Sequence, residues 1–157
     1  MFIKIVMLYI LIFFSTFAHE LGHIVMAKIF YNVKNSRIEI GKGKNILKLK
    51  KIIVNALPVY GHAYWELEDF DSYKKSSKLR KIMPSLGGPL VSLLIALGFI
   101  LISRNNYSGF YSKIIRYVIL YNAICFVSTI LPIKYLNLPS DGMRILNTIK
   151  STEDNVN

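Results

Sequence analysis

Two histidines and a glutamate near the start of the chain have the residue types and the spacing of a metal site. The segment is His19-Glu20-Leu21-Gly22-His23. Histidines four positions apart lie on the same face of a helix, so both imidazoles can bind one Zn²⁺. Glu20 comes next to them and can reach a water molecule at the metal without being a ligand itself. Two of the chain's 3 histidines flank this glutamate, so the pattern predicts a zinc site.

A catalytic zinc usually has three protein ligands, with a fourth position left for water, so another donor must come from elsewhere in the chain. The plausible donors are His62, Glu39, the acidic run at 66–71, and Asp141. Only Asp141 closely follows a long apolar segment. The prolines at positions 132 and 139 interrupt regular helix between that segment and Asp141, which suits a turn that lines a metal site. We therefore favour Asp141 as the third ligand.

Three long apolar segments must position these groups. The chain has 157 residues, of which 53% are hydrophobic, and its mean hydropathy is +0.40. These values are typical of a membrane protein rather than of a disordered or a soluble chain. Each segment supplies the roughly 20 residues that a membrane-spanning helix needs. We predict one mainly α-helical domain over 1–157, with transmembrane helices at about 2–30, 82–103 and 114–132.

The distribution of basic residues predicts the orientation in the membrane. The formal net charge is +11, and twelve of the 20 Lys and Arg residues lie in the polar stretch 31–83. The connection 104–113 carries only Arg104 and Lys113. The positive-inside rule therefore places the long connection in the cytoplasm and the N-terminus outside, with the active site toward the cytoplasmic side. This accounts for the charge without nucleic acid, and an interaction with anionic lipid head groups is compatible with it.

The helix rise places the motif inside the bilayer. Residues 5–18 rise only about 21 Å, whereas the hydrocarbon core is about 30 Å thick. Descending from outside, residues 114–131 cover about 27 Å, and Ser92 lies about 12 Å beyond Pro84 from the cytoplasmic side. Polar residues of all three predicted spans therefore meet in one layer. Ionisable groups at such a depth are expensive to bury and usually have a function.

The long connection predicts a small membrane-associated β region within 31–81. Residues 36–42 and 46–54 have the composition of strands, and the glycine-rich segment 41–45 between them predicts a hairpin turn. A third extended piece, 56–65, contains Pro58, Gly61 and several aromatic residues that suit the membrane interface. The acidic run at 66–71 is expected to be a solvated turn. A metal-ligand loop and a C-terminal helix are expected over 133–150.

Four features together resemble the site-2 proteases, a family of intramembrane zinc metalloproteases, and the resemblance covers nearly the whole chain. They are the HELGH motif at 19–23, the Pro/Gly-containing strand LPVYGHAY at 57–64, the GGPLVS segment at 87–92, and Leu131-Pro132 followed by Ser140-Asp141-Gly142. The resemblance implies an active site in a bacterial cell membrane. It also implies that the substrate is a transmembrane or membrane-associated peptide. The oligomeric state is not indicated.

The resemblance also implies roles for individual residues. It assigns Zn²⁺ to His19, His23 and Asp141, with Glu20 as general base and then general acid. Substrate contacts are implied at Pro58, Gly61, His62 and Ser92.

The sequence departs from the family pattern at several positions. Ser92 and Thr129 stand where the family commonly has Asn, and Met143 stands where a second Gly follows Asp-Gly. The stretch from Pro132 to Asp141 is longer than in the compact family pattern, and no segment is long enough for the PDZ domain that many relatives carry. None of these departures removes Glu20 or a metal ligand.

Two other functions fit parts of the sequence. A catalytically silent membrane protein that binds peptides or partner helices would need no metal and would tolerate Glu20→Gln. A soluble metalloprotease secreted after cleavage at Ala18 would use residues 1–18 as a signal peptide, but two further apolar spans disfavour this. The single cysteine, Cys125, rules out an intramolecular disulfide or a cysteine-based metal cluster.

Overall fold

The computed structural model describes residues 2–104, 109–135 and 138–151. Nine elements follow one another along these residues. They are α1 (Phe2–Phe30), β1 (Val33–Lys48), β2 (Ile52–Leu67), α2 (Phe70–Lys75), α3 (Lys78–Ser103), α4 (Gly109–Ile130), β3 (Lys134–Tyr135), β4 (Leu138–Pro139) and α5 (Asp141–Lys150). The architecture is therefore mainly helical with a small sheet, as predicted.

Helices α1, α3 and α4 are each long and apolar enough to cross a membrane. Many of their large aliphatic side chains, such as Leu94, Leu101 and Leu120, are exposed on the outer surface. Helix α3 begins at Lys78, four residues before the predicted second span. Its start is capped by Ser77, whose side chain accepts a hydrogen bond from the backbone N–H of Arg80. Helix α4 likewise begins earlier than predicted and ends at Ile130, just before Leu131-Pro132.

Glycines allow α1 and α3 to pack closely. A Cβ atom added to Gly22 would lie 2.5 Å from the carbonyl oxygen of Gly87, and one added to Gly87 would collide with the carbonyl of Gly22. Two backbones can approach this closely only where neither residue has a side chain. The pair fixes α3 beside the HELGH segment of α1.

The β region is one bent hairpin, and its turn is not where the sequence predicts it. Strands β1 and β2 pair antiparallel from Val33↔Leu67 to Lys48↔Ile53, so the chain reverses at 49–51 and the predicted strand 46–54 is wrong. Gly41 and Gly43 have φ of 89° and 90°, a conformation that favours glycine, and they bend β1 within its length. The bend folds the hairpin back, which also places 52–54 beside 38–40.

The hairpin packs along α1. Ile38 and Ile40 of β1 and Ala63 of β2 form a buried cluster with Ile24 of α1, and Phe13, Phe17 and Trp65 pack against it. Along β2, Thr16 of α1 donates a hydrogen bond to the carbonyl oxygen of Pro58 at 3.2 Å. The hairpin therefore follows α1 from Ile24 back to Thr16, past the HELGH motif.

The acidic run is only partly a turn. Asp69 caps the short helix α2, because its side chain accepts a hydrogen bond from the backbone N–H of Ser72 at 2.9 Å. Glu66 belongs to β2, Glu68 lies between β2 and α2, and Asp71 belongs to α2. All three are exposed, so the run is solvated as expected, but only the segment around Glu68 is irregular.

Candidate metal centre

Three donor atoms from two distant parts of the chain meet in one compact group. The Nε2 atoms of His19 and His23 lie 3.3 Å apart, and each lies 3.4 Å from Oδ2 of Asp141. Both imidazoles are buried, and the carboxylate is half-buried. Of the third-ligand candidates, Asp141 is therefore the one that the fold brings to the histidines.

The dimensions of this triangle fit zinc. Zinc in proteins is tetrahedral, with bonds of about 2.0–2.2 Å to imidazole nitrogen and carboxylate oxygen. The edge of such a tetrahedron is about 1.63 times the bond length, which gives roughly 3.3–3.6 Å. The three separations between the donor atoms fall within this range. Two imidazole nitrogens and one carboxylate oxygen are also a donor set that zinc uses. The residues present can therefore hold zinc and leave a fourth position open.

Hydrogen bonds at the outer nitrogens orient both imidazoles toward the shared point. Nδ1 of His23 lies 2.8 Å from the carbonyl oxygen of Pro84, which can only accept, so Nδ1 carries the hydrogen and Nε2 keeps its lone pair. Nδ1 of His19 lies 2.9 Å from Oγ of Ser92, which can accept in the same way. Partners of this kind fix the tautomer and the ring orientation of a metal-binding histidine.

A glycine of α3 makes room for the imidazoles. A Cβ atom added to Gly88 would lie 2.5 Å from Nε2 of His19 and would collide with Nε2 of His23. The backbone of α3 therefore passes directly beside the donor atoms. Gly87 and Gly88 thus have separate roles, the first in helix packing and the second in leaving space for the metal centre.

Asp141 is held by the turn that precedes α5. Oγ of Ser140 donates to the carbonyl oxygen of Leu131 at 2.5 Å and accepts from the backbone N–H groups of Ile133 and Met143 at 3.1 Å. A Cβ atom at Gly142 would collide with the carbonyl of Ile130. The start of α5 is therefore locked against the end of α4, and this lock places Asp141 at the histidines.

The charge state of Asp141 suits a ligand. Burial raises the pKa of this carboxyl group, but the adjacent rings of His19 and His23 favour its charged form and hold the pKa well below its usual range. The group is therefore a carboxylate at neutral pH. This is the form that binds a metal ion.

Glu20 lies beside the triangle and is positioned by the neighbouring strand. Its side chain is 7% exposed, and a Cβ atom added to Gly61 of β2 would lie 2.5 Å from Oε1 of Glu20. Within the described residues the carboxylate has no hydrogen-bond partner and no ion pair. It is therefore free to exchange a proton with a molecule in the adjoining cavity.

The metal centre opens into a cavity of about 330 Å³. One wall consists of the β2 residues 60–63, and another consists of Ser140, Asp141 and Arg144 around the start of α5. Strand β1 pairs with one edge of this part of β2, and no described strand pairs with the other edge. This second edge of β2 therefore has backbone groups without a strand partner among the described residues.

The four residues expected to contact substrate lie in different places. Gly61 and His62 line the cavity, and the His62 ring packs against Tyr64 with their centroids 4.5 Å apart. Pro58 is buried, and its carbonyl oxygen accepts a hydrogen bond from Thr16 of α1. Ser92 is 1% exposed and does not line the cavity. Ser92 instead forms a hydrogen bond with Nδ1 of His19, and this bond orients the imidazole.

Sequence reasoning missed a polar contact between α1 and α4. Asn122 is 0% exposed and donates a hydrogen bond to Oγ of Ser15 at 3.0 Å. Next to it, the hydroxyls of Thr16 and Tyr121 are 2.8 Å apart. The signal for these residues was a polar side chain within an apolar span, which usually faces another helix.

Sequence reasoning also missed Arg144, which lines the cavity. Its position three residues after Asp141 places both side chains on the same face of a helix, and this spacing was the available signal. Burial lowers the pKa of His62 from its ordinary value, and the positive charge of Arg144 lowers this pKa further. Both effects favour the neutral form of the His62 ring.

Comparison with known proteins agrees with this geometry. A model of peptidase family M50 matches residues 7–152. The chain belongs to peptidase family M50. These are the site-2 proteases, so the resemblance found in the sequence is confirmed, and the M50 chain is a member of a family of zinc metalloproteases.

A relative from Clostridium acetobutylicum is 30% identical to the M50 chain over 87 residues, and its name describes an inferred zinc metalloprotease. The match covers 50% of this chain and 25% of the relative. The matched stretch thus spans about a quarter of the length of that protein. The zinc predicted as cofactor is confirmed by the family and fits the triangle of His19, His23 and Asp141.

Proposed function

We propose that this protein is an intramembrane zinc metalloprotease that hydrolyses peptide bonds in membrane-embedded or membrane-adjacent peptides. The observation that carries the proposal is the triangle of donors at zinc-ligand separations, in a cavity that is also lined by Glu20 and by residues 60–63 of β2. In this proposal His19, His23 and Asp141 hold the metal. Zinc, when bound, supplies a Lewis acid that polarises the scissile carbonyl and makes a water molecule more acidic.

Glu20 moves the proton in this reaction. Its carboxylate accepts a proton from the attacking water and then donates it to the nitrogen of the leaving amine. The new bond joins the water oxygen to the carbonyl carbon, and the bond that breaks is the one from this carbon to the amide nitrogen. Gly61 supports this role because its missing side chain leaves room for the Glu20 carboxylate between β2 and the cavity.

The strand edge of β2 supports an extended substrate. Helical carbonyls are hydrogen-bonded and surrounded by side chains, so a transmembrane peptide must unwind before it is cleaved. Residues 60–63 line the cavity, and their edge opposite β1 has no strand partner among the described residues, so an unwound segment can add there as a further strand. The backbone hydrogen bonds would hold the peptide without requiring a particular sequence, while Gly61 and His62 contact it directly.

Helix geometry supports a site within the membrane. Helix α1 has 29 residues and is about 43 Å long, and His19 lies about 17 Å from its C-terminal end. With the basic connection 31–83 in the cytoplasm, the site is closer to the cytoplasmic face, and the N-terminus is outside. In this arrangement the exposed leucines of α1, α3 and α4 contact the acyl chains of the lipid bilayer.

The activity is tested with the purified, zinc-loaded protein in liposomes and synthetic single-span peptides, with products identified by mass spectrometry. We expect cleavage by the parent, at least about 100-fold slower cleavage by Glu20→Gln with zinc content unchanged, and loss of zinc in Asp141→Ala. Glu68→Gln, an exposed position, is the matched control and should behave as the parent. Unchanged cleavage by Glu20→Gln would contradict the mechanism, and peptide binding without any cleavage would support a silent binding protein.

The orientation is tested by labelling cysteines in intact cells. In a Cys125→Ser background, Lys75→Cys lies at the end of α2 in the basic connection and Lys113→Cys lies near the start of α4, both at exposed positions. A membrane-impermeant maleimide added outside should label Lys113→Cys and leave Lys75→Cys unlabelled until the cells are opened. The reverse result would overturn the proposed orientation without affecting the protease assignment.

A further inference from the structure

Two basic side chains line the cavity without an acidic partner. Lys42 of β1 and Arg144 of α5 face the space next to Glu20 and the metal ligands. Among the described residues neither cation forms an ion pair, and Asp141 lies against the two imidazoles instead. The carboxylates of Glu20 and Asp141 also line the cavity, but neither is in direct contact with Lys42 or Arg144, so both cations are available to a ligand.

Arg144 is the better placed of the two to bind a ligand. Its guanidinium has no hydrogen-bond partner among the described residues, and the side chain is half-buried. The Nζ atom of Lys42, in contrast, lies 4.9 Å from the centroid of the Tyr60 ring and already has a cation–π contact. A guanidinium presents a planar fork of donors that matches a carboxylate, and the bond is strengthened where water is partly excluded.

We infer that Arg144, with Lys42 as a second cation, recognises a carboxylate of the peptide substrate close to the bond that is cleaved. The inference rests on the proposed protease function and deepens it by naming a substrate class. The carboxylate can be the side chain of an Asp or Glu near the cleaved bond, or the free C-terminus of a short or previously trimmed peptide. Arg144 is then a specificity residue that contacts the substrate.

The test compares matched peptides that differ only in this charge. A synthetic single-span peptide that the parent cleaves is prepared with Glu or Gln at each of two positions on either side of the cleaved bond, and with a C-terminal acid or amide. We expect kcat/KM of the parent to favour one carboxylate form by about tenfold to a hundredfold. The pair that shows the preference identifies the source of the carboxylate.

The variants assign the preference to Arg144. Arg144→Gln should lose much more kcat/KM on the carboxylate form than on the uncharged form and so cleave the two with nearly equal kcat/KM, whereas Arg144→Lys should keep part of the preference. Lys42→Gln should lose less than Arg144→Gln because the ring of Tyr60 already contacts its ammonium group. Lys150→Gln, an exposed cation at the other end of α5, is the matched control and should keep the full preference.

A binding measurement separates recognition from catalysis. In a zinc-loaded Glu20→Gln background, fluorescently labelled acid and amide peptides should differ in Kd by the same factor, and Arg144→Gln should remove the difference. An equal loss of kcat/KM for both peptide forms would instead make Arg144 a transition-state group and overturn the inference. A parent that cleaves every peptide pair without preference also overturns it, while a parent that cleaves none contradicts the proposed function.

Discussion

Gly88 gives a direct test of where the metal site lies. In Gly88→Ala the new methyl carbon would stand 2.5 Å from Nε2 of His19, whereas ordinary van der Waals contacts are 3.4–4 Å. The imidazole must then retreat by about 0.9 Å, and the ring of His23 must also move. Metal–ligand distances in good sites stay within about 0.2 Å of their ideal values. The substitution therefore removes at least one imidazole from the triangle.

The expected magnitude follows from this displacement. Removing only a hydrogen-bond partner of a ligand weakens metal binding by about 10- to 100-fold, so displacing a ligand itself should weaken it by at least about 100-fold, or about 2.7 kcal/mol. The substitution should not unfold α3, since replacing glycine by alanine inside a helix stabilises the helix by up to about 1 kcal/mol. Loss of zinc should therefore occur in a folded protein.

The assay is zinc affinity by competition with a fluorescent chelator, with circular dichroism and gel filtration to confirm folding. Gly98→Ala is the matched control, since Gly98 lies in the same helix and a Cβ atom there meets nothing within 4 Å. We expect Gly98→Ala to bind zinc as the parent does. If Gly88→Ala bound zinc with the parent's affinity, the donor atoms would not lie beside Gly88, and the assigned metal centre would be refuted.

Three further substitutions test the surroundings of the metal centre. Ser92→Ala removes the hydrogen-bond partner of His19 and should weaken zinc binding by about 10- to 100-fold in the same competition assay. Gly61→Ala pushes the new Cβ atom onto Glu20 and should lower kcat by about 100-fold with zinc content unchanged, because a misplacement of 1 Å in a catalytic group has an effect of this size. Asn122→Ala removes an interhelical hydrogen bond and should reduce the free energy of unfolding in mixed micelles by about 0.6 kcal/mol.

Each of these substitutions has a control at an exposed or open position. Ser103→Ala on α3 is the control for Ser92→Ala, and Asn147→Ala on α5 is the control for Asn122→Ala; both change exposed residues. Gly98→Ala is again the control for the glycine substitution. Zinc binding unaffected by Ser92→Ala would show that His19 needs no outer partner. A drop in zinc content in Gly61→Ala would place the strand against the ligands rather than against Glu20.

The amino-acid sequence by itself determined the long helices and the proximity of His19 and His23, two of the proposed metal ligands. The apolar segments are long enough to span a bilayer, and the four-residue spacing of His19 and His23 places both rings on one face of any helix that contains them. These are local properties. The irregular stretch between Leu131-Pro132 and Asp141 also favoured Asp141, the candidate donor that the fold brings to the two histidines.

Only the tertiary structure decided which groups surround the site. Ser92 and the carbonyl of Pro84 orient the imidazoles from a helix more than 60 positions away in the sequence, and no local pattern distinguishes such a serine from a substrate contact. The need for glycine at Gly88 arises from donor atoms on another helix. Such contacts depend on how elements pack rather than on the preferences of a segment.

The β hairpin shows the same limit. Gly41 and Gly43 look like a hairpin turn in the sequence, but they bend a continuous strand, because packing of Ile38 and Ile40 on α1 fixes the strand on one side of that bend. The turn then falls at 49–51. The sequence therefore predicts which segments are extended, while burial against α1 decides their register and the position of β2 beside Glu20.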